Sequence, residues 1–133
     1  MMTDFALLEA VAANRKDMLL KEDPLCCVEC GVDTDGHRAV VTISEKEEAK
    51  AFEFVESPLS WHMFTWEEYR KCLESGCSVG VLVPEKDPLF PAVVRDKMGE
   101  IVNDLPGSVR GSVSGYVYTY DSKGEIKLLN RIR

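Results

Sequence analysis

Five cysteines and two histidines are the residues of this chain that chemistry would recruit first. Cys27-x-x-Cys30 followed by Gly31 has the shape of a zinc knuckle, and Cys72 and Cys77 would complete a four-thiolate set. The spacing argues against it. In a strand, Cys27 and Cys30 point to opposite faces, whereas Cys26 and Cys30 share a face about 13 Å apart, too far for one tetrahedral ion. Redox use of the Cys27/Cys30 pair needs a helix opening at the motif, and none is expected there. A Cys or Ser nucleophile would need His37 or His62 as its base, and neither sits in a nucleophile motif. The sequence therefore nominates no catalytic residue, no metal ligand and no cofactor.

Gly107, Gly111 and Gly115 recur at every fourth position, with Arg110 between them. A phosphate-cradling loop would need a GK[ST] and a strand–loop–helix order, so the segment reads as a flexible lead-in to the strand after it. Asp33-x-Asp35-Gly36 lacks the remaining ligands of a calcium loop and reads as a turn.

The other chemical feature is charge. The chain carries 23 acidic and 16 basic side chains, a net of −7. Residues 1–70 hold 15 acidic and 7 basic of these, a net of −8, leaving +1 for residues 71–133. An acidic half repels a polyanion, so nucleic acid is not an expected partner. It suits a basic protein, whose approach it would accelerate. Glu45, Glu47, Glu48, Glu53 and Glu56 form the densest acidic group. Trp61, His62 and Trp66 follow closely, and large aromatic residues are favoured anchors at interfaces. These eight residues are the expected partner-binding surface.

The elements that must position them follow from periodicity and capping. Phe5, Leu8, Val11, Ala12, Met18 and Leu19 make an apolar stripe with Thr3 as N-cap, predicting a helix over residues 4–22 stopped by Asp23-Pro24. Residues 25–32 and 37–44 flank Asp33-x-x-Gly36 as a hairpin. Residues 45–56 have helix formers at one end and Phe52/Phe54 alternation at the other; a turn followed by a third antiparallel strand is preferred.

Thr65-x-x-Glu68 is a capping box, with Phe64 and Tyr69 as its staple, opening a helix that carries Trp66, Tyr69, Cys72 and Leu73 on one face. Gly76 would end it in a left-handed turn, bringing Cys77 against Cys72. Residues 78–83 then read as an apolar core strand. Val94, Met98, Ile101 and Leu105 predict a further helix running to about residue 104, with Gly99 weakening it. Asp121-x-x-Gly124 repeats the earlier turn chemistry in a second hairpin, where Tyr116, Tyr118 and Tyr120 share one strand face and Val117 the other.

The expected fold is a single compact α+β domain: a mainly antiparallel sheet, built from two DxxG hairpins plus one or two strands, packed with about three helices. No apolar run is long enough to span a membrane, the N-terminus lacks a secretory pattern, and the odd cysteine count suits a reducing cytoplasm. The expected function is a small, acidic, cytoplasmic protein-binding module without catalysis, of inhibitor, immunity or antitoxin type. A second reading is a small-molecule-binding protein or small enzyme, with a site between the central helix and last hairpin near His62, Cys72, Arg110 and Tyr118. A third is a zinc-stabilised module. Apolar residues on both faces of the three-tyrosine strand also leave a homodimer open.

Overall fold

The N-terminal stripe folds as α1 (Asp4–Glu22), with the bounds its periodicity predicts. The computed structural model describes residues 4–33, 35, 37–63 and 66–133, the side chains of residue 4 and of 61–63 excepted. The Thr3 cap, the Thr65 capping box with its Phe64 staple, and Gly36 of the first turn lie outside the described residues.

After α1 the chain lays down β1 (Cys27–Val32), β2 (Arg38–Glu45) and β3 (Glu48–Glu56) as an antiparallel meander. The ambiguous segment is thus a turn and a strand, as preferred. Lys46 and Glu47 make the turn with φ of 51° and 67°. Paired left-handed residues match the twist of a two-residue hairpin loop, so the chain reverses within two positions despite their helix-favouring side chains.

Next come the short α2 (Pro58–Met63) and α3 (Trp66–Glu74), and then β4 (Ser78–Pro84). Ser57 caps α2: its Oγ accepts from the Ser60 N–H at 3.3 Å, while the Ser60 Oγ accepts from the Ser57 N–H at 2.9 Å. With Pro58 in the first helical position, this Ser-Pro-x-Ser sequence starts a helix. α3 ends as its sequence predicts. Gly76 is left-handed at φ +93°, the Cys77 N–H reaches the Cys72 carbonyl at 3.1 Å, and the Gly76 N–H reaches the Leu73 carbonyl at 3.0 Å. That pair of bonds defines the Schellman ending.

α4 (Leu89–Asn103) and the one-turn α5 (Gly107–Arg110) lead to the closing hairpin of β5 (Gly115–Tyr120) and β6 (Ile126–Ile132). Residues 107–110 therefore adopt a helical turn where a flexible lead-in was expected. In the hairpin turn, Gly124 is left-handed and the Asp121 carboxylate accepts from the backbone N–H groups of Lys123 and Glu125, each at 2.9 Å.

The six strands form one sheet in the order β1-β2-β3-β4-β5-β6. Its outer pairs are antiparallel, so the sheet is mostly antiparallel, but β3, β4 and β5 run parallel to one another. β4 lies at the centre of this parallel part, buried on both faces and so without polar alternation. Five of its seven residues are buried.

One face packs under α3 and α4 through Phe54, Tyr69, Leu73, Val79, Val81, Met98 and Val117. The other is covered by Leu8, Val11 and Ala12 of α1, resting on Val41, Val55, Leu82, Tyr118 and Tyr120. The second face of the tyrosine strand is thus closed by a helix of the same chain. At Gly115 a Cβ would fall 2.6 Å from Met98 Cγ, so the missing side chain lets α4 approach β5 closely.

Candidate functional site

Two buried acid–base clusters cross the centre of the molecule, both built on β3. Glu53 is 4% exposed and points toward α1. Arg15 reaches it with two bonds, Nε to Oε1 at 2.6 Å and Nη2 to Oε2 at 3.0 Å. The same Nη2 donates to Tyr118 Oη at 3.0 Å, and the guanidinium lies 4.6 Å over the Tyr118 ring. Gly80 on the neighbouring strand makes the room, since a Cβ there would sit 3.0 Å from Glu53 Cγ. Burial works against the charge on Arg15, but Glu53 more than offsets it and the guanidinium pKa goes up. Burial, and then the Glu53 charge, raise the Tyr118 phenol.

Glu56 is 0% exposed and sits on the opposite face. Arg38 binds it through Nε and Nη2, both at 2.8 Å, and extends Nη1 to Glu68 at the surface. Tyr69 Oη donates to Glu56 Oε2, and Ser60 Oγ lies 3.1 Å from Oε1. The Glu56 carbonyl accepts from Tyr120 Oη at 2.6 Å. Burial and the adjacent Glu56 carboxylate push the Tyr69 phenol well above its ordinary range.

Both clusters are internally complete. Among the described residues, no buried side-chain nitrogen or oxygen lacks a partner. They bind the meander, α1 and α3 to one another and present no unpartnered acid or base to a substrate.

This burial corrects the expected acidic surface. Glu53 and Glu56 are withdrawn from it, facing opposite sides of the sheet in pairs with arginine. Glu45, Glu47 and Glu48 stay exposed around the β2–β3 turn. Trp61 and His62 belong to α2, beyond the other end of β3. Because residues 48–56 are extended, the two groups stand about 26 Å apart. Trp66 is half-buried and packs edge-on against Tyr69 at 5.8 Å between ring centroids, so it serves the core.

The alternative small-molecule site is dispersed as well. Tyr118 faces α1, Cys72 lies on α3 across the sheet, Arg110 ends α5 and His62 lies in α2. Cys27 and Cys30 are exposed on the edge strand β1. Cys77 precedes β4, three strand spacings away, or about 14 Å. Among the described residues, no group of three metal-ligating side chains comes together.

What α2 does border is an open cleft of about 400 Å³ at the carboxyl ends of the parallel strands. Pro58, Pro84, Leu89, Phe90 and Val93 line it, with Lys86 and Asp87 at its rim. Leu89 is 73% exposed, and Leu59, next to Pro58, is 51% exposed. Pro84 closes β4 and Pro58 opens α2, and at the start of α4 Leu89 faces solvent while Phe90 and Pro91 turn into the core. The sequence signals were Pro84, Pro88 and Pro91 around Leu89, which falls off the Phe90–Val94–Met98 stripe that α4 buries. No known protein family, curated protein or solved structure matches the chain.

Proposed function

We propose that the protein is a non-catalytic binding module that docks a basic protein partner at the carboxyl end of its sheet, in the manner of inhibitor, immunity or antitoxin-type proteins. The observation that carries this reading is the open apolar cleft with Leu59, Leu89 and Val93 exposed around it. An apolar cavity with a polar rim accepts an anchor side chain of a partner and gains most when water leaves it.

Charge supports a basic partner. The buried Arg15–Glu53 and Arg38–Glu56 pairs each cancel internally, so the net charge of −7 resides on the rest of the molecule. The loops at the carboxyl end carry Asp33, Asp35, Glu85, Asp87, Asp121 and Glu125 against Lys86 and Lys123, an acidic excess. Such a rim steers a cationic surface toward the cleft. Trp61 and His62 of α2 belong to this contact, while Glu45, Glu47 and Glu48 lie at the far end and steer only at long range.

The test is capture from an extract of the source cells, comparing the wild-type chain with Leu89→Asp and with a Glu45→Lys, Glu47→Lys, Glu48→Lys triple variant. One basic protein should be retained at low salt, released at high salt, lost with Leu89→Asp and kept by the triple variant. Retention indifferent to both salt and Leu89→Asp, or no retention at all, overturns the proposal. Loss with the triple variant alone moves the contact to the β2–β3 turn and overturns its placement.

A further inference from the structure

The chain has seven arginines, at positions 15, 38, 70, 95, 110, 131 and 133. Four of them pair with carboxylates: Arg15 with Glu53, Arg38 with Glu56 and Glu68, Arg70 with Glu67, and Arg95 with Asp96. Among the described residues, Arg110, Arg131 and Arg133 have no carboxylate within ion-pair distance. All three line a single cleft of about 580 Å³. In a chain with seven more acidic than basic groups, unpaired arginines gathered in one place need a reason. Like charges held together raise one another's energy unless an anion joins them.

The cleft lies at the amino ends of β4 and β5, opposite the apolar one. Residues 107–114 form one wall and the end of β6 the other, with buried Val113 behind them. Neutral groups orient two of the guanidiniums: Arg110 Nη2 lies 3.2 Å from Asn103 Oδ1, and Arg131 Nη2 lies 3.5 Å from Ser114 Oγ. The Arg131 guanidinium also stands 5.6 Å over the Tyr116 ring. These contacts hold the side chains without cancelling their charge. Gly107, Gly111 and Ser112 line the same wall, where small residues leave the backbone open to close approach.

We propose that this cleft binds a small molecule carrying a diphosphate. Three guanidinium forks match the several anionic oxygens of such a group, and bidentate arginine–phosphate pairing gives both strength and geometry. The volume suits one small ligand, and the acidic remainder of the chain disfavours a long polyanion. This proposal is independent of the protein-docking reading, which concerns the other end of the sheet, so either fails without the other.

Calorimetric titration of the full chain with inorganic pyrophosphate, with ADP and with a short single-stranded RNA tests it. Pyrophosphate should bind saturably, one to one, at about 1 mM or below. Arg110→Gln and Arg131→Gln should each weaken it at least about tenfold, whereas Arg95→Gln leaves it unchanged. Tighter binding of ADP would identify the natural ligand as a nucleotide, and equal binding would show that the diphosphate alone is read. Circular dichroism confirms that each variant folds, and Arg131→Lys, which keeps the charge but loses the fork, should fall between wild type and Arg131→Gln. No saturation by pyrophosphate or ADP, affinity unchanged in the Arg110→Gln/Arg131→Gln double variant, or RNA binding tighter than either small ligand overturns the proposal.

Discussion

Glu53 and Glu56 stand three residues apart on β3 and face opposite sides of the sheet, each closed by an arginine from a different element. Arg15 comes from α1 and Arg38 from β2, so two layers and the meander are joined through one strand. A buried pair contributes little net stability over well-packed apolar residues, yet a lone buried charge is costly. Arg15→Met should therefore destabilise the protein by about 3–5 kcal/mol. Arg15→Met combined with Glu53→Leu should recover most of that loss. Urea denaturation of the two single variants and the double variant measures the coupling directly.

The tyrosines predict the alkaline limit of stability. Tyr69 and Tyr118 have phenols raised above their ordinary value by burial first and then by Glu56 and Glu53 respectively. Folding thus favours the neutral phenol. Its contribution is complete below the unfolded pKa of about 10 and is lost as pH rises from there toward the folded value. Stability should fall above about pH 10, and Tyr69→Phe should flatten that fall while costing about 1–3 kcal/mol at neutral pH, because Glu56 loses a donor. Denaturation midpoints measured across this pH range, with phenolate absorbance, test both statements.

The Lys46–Glu47 turn places two ordinary residues in left-handed conformations. Asparagine and glycine occupy such positions with less strain. Lys46→Asn with Glu47→Gly should stabilise the protein by about 1 kcal/mol and raise Tm by roughly 4 °C. Calorimetry would show it, and an unchanged Tm would mean that the hairpin carries no recoverable strain.

Thiol reactivity should separate the five cysteines. Cys27 and Cys30 are exposed, Cys26 and Cys77 are buried, and Cys72 is half-buried with its thiol pKa raised by burial and by Glu68. A disulfide reagent should modify two thiols quickly and three slowly in the native protein. Cys27→Ser with Cys30→Ser should abolish the fast phase.

Local chemistry was readable from the chain; partnerships across distance were not. The bounds of α1, the ending at Gly76, the turn at Asp121 and the strand after residue 47 all depend on residues within one or two turns of each other. Burial of Glu53 and Glu56 depends on Arg15 and Arg38, 38 and 18 residues away. A partial signal existed, because Arg15 falls on the same helix face as Leu8, Val11 and Ala12. The expected stripe held Leu8, Val11 and Ala12 but left out Arg15 and took in Phe5 and Met18, both of which are exposed. Parallel pairing of β3, β4 and β5 was hidden for the same reason. α2 was not among the expected helices, although the Ser-Pro-x-Ser run that starts it is local chemistry too. The arginine cleft was concealed because its members come from two segments that meet only when β5 and β6 pair.

The order of strands across the sheet is the order in which a ribosome would deliver them. Each new strand joins an edge that already exists, and none must be threaded between two strands already bonded. During synthesis the growing edge is always the last strand made, and the parallel additions of β4 and β5 wait only for the helices that precede them. Among the described residues no strand pairs with the outer side of β6, which carries the same hydrogen-bonding groups that every earlier edge offered to its successor.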